Sequence, residues 1–293
     1  MLSEEIFKKI QYIQLKAGRV VTDALAGEYS SIFKGVGMEF DKVREYQEGD
    51  DVRAIDWNVT ARMNNPYVKV YSEERELTLM LMIDVSASLG FGTTGRFKNE
   101  LAAELGAILA FLATKNNDKV GLIIFSDHVE QYIPPQKGRA HIWRLIRTVL
   151  THESQGQGGT KISSTLDYFI KVCRRKSMCF LLSDFRADNF EKSLKMANKR
   201  HEVICVDISD QREKSIQACG YIECLDSETG EHVVIDTSDK KFRQAYARER
   251  LKEKENLHTL FLKNKIDFFS LSTSESVINP FVRYMRQRER RLR

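Results

Sequence analysis

The sequence predicts an α/β fold, built on a doubly wound, mostly parallel sheet with an N-terminal helix and a small β-rich extension. The middle of the chain carries short, nearly continuous apolar runs at 77–83, 119–125 and 178–182. Amphipathic helical stretches, such as 97–114, separate these runs. Strands that are buried on both faces and alternate with helices are typical of a parallel sheet covered on both sides. Right-handed crossovers then produce the doubly wound order.

The first part of the chain has a different pattern. An apolar stripe at helical spacing predicts a helix over 4–26, and it consists of Ile6, Ile10, Ile13, Val20 and Leu25. Strand-like segments follow at 39–46 and 67–71, and the second alternates apolar and polar residues as a half-buried strand does. We therefore assign residues 1–75 to an N-terminal helix plus a β-rich extension, and residues 76–290 to the main α/β domain.

The elements of the main domain follow from the period of its apolar residues. Helical spacing predicts helices over 97–114, 142–150, 162–173, 189–199 and 239–262, and Pro280 marks the start of the last one. Continuous apolar runs predict strands over 77–83, 119–125, 178–182, 203–206 and 266–271. Two further strands, 221–224 and 232–235, bracket a Ser-Glu-Thr-Gly turn and predict a hairpin insertion near 220–236.

The composition argues against several classes of protein. No apolar run approaches the roughly 18 residues that a membrane span needs. The N-terminus includes Glu4 and Glu5 and does not resemble a secretory signal, so a cytoplasmic location is expected. Five cysteines without CxxC spacing favour buried thiols over disulfides or a zinc site. The net charge is only +5, and we interpret the Arg-rich end, 283–293, as a solvated helix terminus, so nucleic-acid binding is not expected.

Oxygen-bearing side chains follow two of the predicted strands. Asp84, Ser86 and Ser88 alternate along the loop that leaves the first strand, so their side chains point the same way. Thr160 ends a glycine-rich loop, and Asp184 directly follows another strand. Carboxylate and hydroxyl oxygens suit Mg²⁺ or Mn²⁺ and fit Zn²⁺ poorly. The pattern predicts a divalent-metal site with a position left open for a carboxylate from another protein.

This order of residues resembles the metal-ion-dependent adhesion site of von Willebrand factor type A domains. Asp84, Ser86 and Ser88 match the first loop of that site, Thr160 the second and Asp184 the third. The resemblance implies a von Willebrand factor A-like fold. It also implies a non-enzymatic role, in which a partner protein offers an acidic side chain to the metal.

The upstream segment resembles the bacterial domain-of-unknown-function family fifty-eight. The resemblance runs from about residue 30 to 210 and is carried by Gly37-Met38-Glu39-Phe40, Arg44-Glu45-Tyr46, Gly49-Asp50-Asp51-Val52-Arg53, Ile55-Asp56-Trp57 and Ala61-Arg62. It implies a partnership with a MoxR-type AAA+ ATPase, or with its client protein, in chaperone-like assembly or stress response. The mixed charges of 38–62 have two interpretations, an ion-pair network that pins the extension to the main sheet or a docking face.

Other functions compete with the adaptor. A Mg²⁺-dependent phosphatase or other hydrolase using the same metal is the main alternative, although Ser86 stands where the phosphatase pattern requires a second aspartate. A serine hydrolase would use Ser86 or Ser88, but no GxSxG elbow is present. No GxxxxGK(S/T) loop occurs, which argues against nucleotide hydrolysis.

Overall fold

A six-stranded sheet organises the computed structural model, which describes residues 39–63, 65–72, 77–93, 95–152, 159–225 and 232–292, together with Tyr12, Gly27 and Tyr29. Apart from those three residues, the helix predicted over 4–26 and the segment up to residue 38 lie outside the described part.

The described helices and strands alternate along most of the chain. The strands are β1 (Glu39–Glu45), β2 (Tyr67–Ser72), β3 (Thr78–Asp84), β4 (Lys119–Phe125), β5 (Val129–Gln136), β6 (Met178–Ser183), β7 (Glu202–Ser209), β8 (Tyr221–Leu225), β9 (His232–Asp236) and β10 (Asp267–Ser272). The helices are α1 (Trp57–Met63), α2 (Lys98–Lys115), α3 (Arg139–Thr151), α4 (Ile162–Val172), α5 (Glu191–Arg200), α6 (Gln211–Lys214), α7 (Lys240–Lys263) and α8 (Ile278–Leu292).

The prediction of a doubly wound, mostly parallel sheet is confirmed. The strand order is β10-β7-β6-β3-β4-β5, and every pair is parallel except β4 with β5. From β3 the chain proceeds first to β4 on one side and later to β6 on the other. The strand order therefore reverses between β3 and β6, and the carboxyl ends of the strands at such a point form the usual ligand crevice of this architecture.

Each face of the sheet is covered by helices, and α2 is buried on nearly all sides rather than along one face as predicted. On one face α2, α3 and α8 pack against alternate residues of β3 such as Leu81 and Ile83. On the other face α4, α5 and α7 pack against the intervening residues Met80 and Met82. Because the residues of β3 from Leu79 to Ile83 are all buried, the strand has the continuous apolar run from which it was predicted.

Three elements depart from the prediction, one of them the short helix α6, which was not predicted. The helix α1 occupies a segment that was assigned to the β-rich extension, and it begins where the Asp56 carboxylate accepts the N–H groups of Asn58 and Val59. The strand β5 has no counterpart in the prediction because it contains Pro134 and Pro135. An antiparallel edge strand tolerates proline, since one side of its backbone needs no ladder hydrogen bonds.

The extension forms its own two-stranded antiparallel sheet, β1 with β2. Arg44 forms a bidentate ion pair with Asp50, both hydrogen bonds being 2.7 Å, and Lys69 lies 3.6 Å from Asp56. These ion pairs join residues of the extension to one another rather than to the main sheet. The boundary at residue 75 stays a prediction, because 73–76 lie outside the described part.

The C-terminal third contains the predicted hairpin and a terminal helix tied to the sheet. Strands β8 and β9 pair antiparallel, as predicted. Helix α8 begins two residues before Pro280, a small correction to its predicted start. Arg288 forms ion pairs with Glu202 and Asp267, at the start of β7 and β10, so part of the Arg-rich end is engaged by the fold. No helix in the described ranges has the length and apolar character needed to cross a membrane.

Candidate metal centre

The carboxyl ends of β3, β4 and β6 bring the predicted ligands to one edge of the sheet. Asp84 is the last residue of β3 and lies opposite Phe125 of β4. Ile83 pairs with Leu182 of β6, so Asp84 adjoins Ser183 and Asp184 comes one residue later. The two aspartates therefore flank the point where the strand order reverses, although they are 100 positions apart in the sequence.

Asp84 is fully buried and accepts two hydrogen bonds. Its Oδ1 accepts from the backbone N–H of Ser86 at 2.9 Å, and its Oδ2 accepts from the Ser183 hydroxyl at 2.6 Å. Burial and, to a smaller extent, the nearby charge of Asp184 together raise the pKa of this carboxyl to about 6, against the opposing effect of its hydrogen bonds. A buried carboxylate that faces a second one is a favourable place for a cation.

Ser86 and Ser88 lie next to Asp84 with their hydroxyl oxygens 3.1 Å apart. Ser86 is buried and precedes a 3-10 turn formed by Ala87–Gly90, which points Ser88 back toward Ser86. The predicted alternation therefore extends from Asp84 to Ser86, and the 3-10 turn then brings Ser88 close to Ser86. One carboxylate and two hydroxyls lie together in this loop.

Thr160 reaches the same edge of the sheet through β4. The backbone N–H of Lys161 donates to the carbonyl of Ser126 at 2.8 Å, and Ser126 directly follows β4. Thr160 is half-buried and stands two residues before α4. Most of the glycine-rich loop that precedes it, 153–158, lies outside the described residues.

The turn after β6 fixes the position of Asp184. The next residue, Phe185, has a φ of +56°, a left-handed conformation that is strained for an aromatic residue. Its N–H donates to the Ser183 hydroxyl at 3.0 Å, and its ring packs edge-on against Phe261. Such strain persists where surrounding contacts over-determine the backbone, and it is often found at functional sites.

Asp184 is held by a buried lysine that the sequence reasoning missed. Lys98 Nζ donates to Asp184 Oδ2 and to Glu213 Oε1, each at 2.8 Å, and the lysine side chain is 0% exposed. Arg186 also contacts Glu213, at 3.1 Å. One signal for Lys98 was available, because it lies on the same helical face as the apolar stripe of α2. A charge on that face requires a buried partner.

The donor atoms fit a hard divalent cation. Within the described ranges no three His, Cys, Asp or Glu side chains cluster as metal ligands, so a metal here depends on hydroxyl oxygens as well as on the two aspartates. Asp84, Ser86 and Ser88 supply adjacent oxygens, and Thr160 and Asp184 flank them on the same sheet edge. Oxygen ligands of this kind suit Mg²⁺ or Mn²⁺.

Comparisons with known proteins identify related sequences. The family model described as "Protein of unknown function DUF58" matches residues 42–256, which confirms the predicted family resemblance. The "Uncharacterized protein Rv1480" of Mycobacterium tuberculosis is 30% identical over 285 residues, covering 96% of this chain and 89% of the relative. The "Uncharacterized protein MAV169" of Mycobacterium avium is 24% identical over 160 residues, covering 54% of this chain and 94% of the relative.

Solved structures with a similar chain path include two proteins of low sequence identity. The conserved hypothetical protein BatB from Bacteroides thetaiotaomicron has a TM-score of 0.45 and 14% identity, covering 73% of this chain and 99% of that one. The SpRpn10 VWA domain has a TM-score of 0.38 and 12% identity, covering 71% of this chain and 94% of that one.

The raised pKa of Asp84 predicts a pH-dependent cost in the metal-free protein. Folding favours the protonated carboxyl, so this contribution to stability is present near pH 4 and is lost as the pH rises through about 6. The loss is on the order of 3 kcal/mol for a fully buried group with this pKa. Urea unfolding in EDTA, at pH 4.5 and 7.5, should show about 2 kcal/mol of this loss in the wild type but not in Asp84→Asn, because the unfolded carboxyl is already largely ionised at pH 4.5. Identical pH dependence in both proteins would contradict it.

Lys98→Met should destabilise the protein strongly, because it leaves Asp184 and Glu213 facing each other without their shared cation. Removing one partner of a buried ion pair costs about 3–5 kcal/mol. The control Lys192→Met changes an exposed lysine and should stay within about 0.5 kcal/mol of the wild type. Adding Glu213→Gln to Lys98→Met should recover part of the loss. If Lys98→Met were as stable as the control, Lys98 would not be compensating the charges of Asp184 and Glu213.

Proposed function

This chain belongs to the DUF58 family, and we propose that it is a non-enzymatic adaptor that binds a partner protein through a bound Mg²⁺ or Mn²⁺. Asp84, Ser86, Ser88, Thr160 and Asp184 would hold the ion. When bound, the ion supplies an electrophilic position that accepts a carboxylate from the partner. The fold and the family agree with a role in protein interaction.

The charges around the candidate centre support this proposal most directly. Lys98 and Arg186 balance the charges of Asp184 and Glu213, and the Asp84 carboxylate near Asp184 adds one negative charge. A divalent cation reverses that sign and leaves one excess positive charge. A single carboxylate from outside then neutralises the centre. In a site with little water, such matching favours an acidic ligand over a neutral one.

The partner that we propose is a MoxR-type AAA+ ATPase or its client protein, engaged in the cytoplasm during chaperone-like assembly or stress response. The family resemblance of the upstream segment motivates this choice. The exposed surface of the extension would add to the contact, since Trp57 is 67% exposed and Val52 59% exposed. Exposed aromatic side chains of this kind are common at protein interfaces.

Metal binding and partner binding should fail together in one variant. Isothermal titration should detect Mg²⁺ and Mn²⁺ binding to the wild type. Asp84→Asn should lower metal affinity at least tenfold, because it removes a charged ligand. A purified MoxR-type AAA+ ATPase from the same organism should bind the wild type in Mg²⁺, and should lose that binding in EDTA or with Asp84→Asn.

The matched control is Asp188→Asn, an exposed aspartate four residues beyond Asp184. It should retain both metal and partner binding. Circular dichroism should show that each variant is folded. Hydrolysis of p-nitrophenyl phosphate in Mg²⁺ that disappears in Asp84→Asn would instead support the phosphatase alternative. Partner binding that is equal in Mg²⁺ and EDTA would contradict the metal-dependent adaptor.

A further inference from the structure

A groove of about 700 Å³ opens directly beside the candidate metal centre. One end is formed by Ser88, which is also a candidate metal ligand, and by Phe91. The other walls come from the segment around Ile216, from the β8–β9 hairpin and from Tyr246 of α7. A cavity of this size is within the range that proteins use to enclose small ligands or a few side chains.

The hairpin presents its two faces differently, and only one of them lines the groove. Ile222 and Ile235 are opposite each other in the β8–β9 ladder, and both line the groove. Tyr221 and Val234 alternate with them and therefore point to the opposite face. They are 77% and 65% exposed, respectively. The hairpin thus forms an apolar wall of the groove beside the candidate metal centre.

The charges at the rim of the groove favour an acidic ligand. Arg186 and Arg212 line it, and the Arg186 side chain is 41% exposed. Among the described residues of the lining, Glu213 is the one acid, and Lys98 and Arg186 already contact its carboxylate. The accessible charge beside the apolar wall is therefore positive, and it adjoins the position where the partner's carboxylate would meet the metal.

We propose that this groove receives the apolar side chains next to the partner's acidic residue, so that the adaptor recognises a short segment with an acid beside large aliphatic residues. The proposal rests on the adaptor function above and specifies its ligand. The metal would orient the partner's acidic side chain, and the two arginines would attract it. The apolar wall formed by the hairpin would favour large aliphatic residues next to that acid. Consecutive residues of an extended segment are about 3.3 Å apart. A partner's acidic residue bound near Ser88 would therefore place the adjacent residues of that partner over the groove.

A defined peptide tests the proposal. The probe is a fluorescein-labelled dodecapeptide with one aspartate between two pairs of leucines on Gly-Ser flanks. Two matched peptides replace the aspartate by asparagine or the leucines by serine. In Mg²⁺, fluorescence anisotropy should show that the wild type binds the probe at least tenfold more tightly than either matched peptide.

Neighbouring residues of β9 provide the matched variants. Ile235→Gln should weaken binding of the probe at least tenfold, while leaving Mg²⁺ affinity and the weak binding of the serine peptide unchanged. Val234→Gln, on the other face of the same strand, should change none of these. Arg212→Gln should weaken the probe about threefold to tenfold, whereas Lys214→Gln, on the same short helix but outside the groove lining, should not.

Several results would overturn the groove proposal. They are equal binding of the leucine and serine peptides, an unchanged affinity in Ile235→Gln, or Mg²⁺ binding without any binding of the probe. Self-association that Ile235→Gln abolishes would overturn it by identifying a second copy as the occupant. Failure of the adaptor function gives a different result, because the wild type then binds no Mg²⁺. Leucine-dependent binding that Ile235→Gln weakens in EDTA as well would retain the groove and reject the metal.

Discussion

Two carboxylates at neighbouring strand ends constrain this part of the molecule. Asp84 and Asp184 lie at adjoining strand ends where the strand order reverses, and burial of Asp84 makes the repulsion between their charges costly. Lys98 offsets one of the charges from inside the core. The turn at Phe185, with its positive φ, and the hydrogen bond from Ser183 keep the arrangement in place. A pair of like charges that costs folding free energy is often found where a protein binds a ligand, and a bound cation would offset this cost.

Most of the fold was predictable because the spacing of apolar residues along the chain indicates which faces of a helix or strand are buried. The residues of β3 and β6 are buried on both faces, and so they appear in the sequence as unbroken apolar runs. Elements whose formation depends on neighbours escaped prediction. The prolines of β5 disguise an edge strand that exists because β4 offers it a partner. Helix α1 does carry a local signal, the Asp56 carboxylate that accepts a hydrogen bond from the N–H of Asn58, but the signal lies within a densely charged segment that was assigned to the β-rich extension.

The candidate site divides in the same way. Its aspartates and serines were predictable, since alternation in one loop and strand-end position are local properties of the sequence. Lys98 and Glu213 are 115 residues apart and meet only through the packing of α2 beside α6. The apolar groove likewise requires a hairpin and a long helix to approach the Ser88 turn. Local sequence patterns do not predict these long-range contacts, because the contacts result from the tertiary fold.

If these side chains enclose one divalent cation, anomalous diffraction from crystals grown with Mn²⁺ should locate it. We expect a single strong peak with Asp84, Ser86 and Ser88 oxygens on the order of 2 Å away. Thr160 and Asp184 should flank that peak, either directly or through a water. A well-ordered site without a peak at saturating Mn²⁺, or a peak elsewhere on the protein alone, would contradict it.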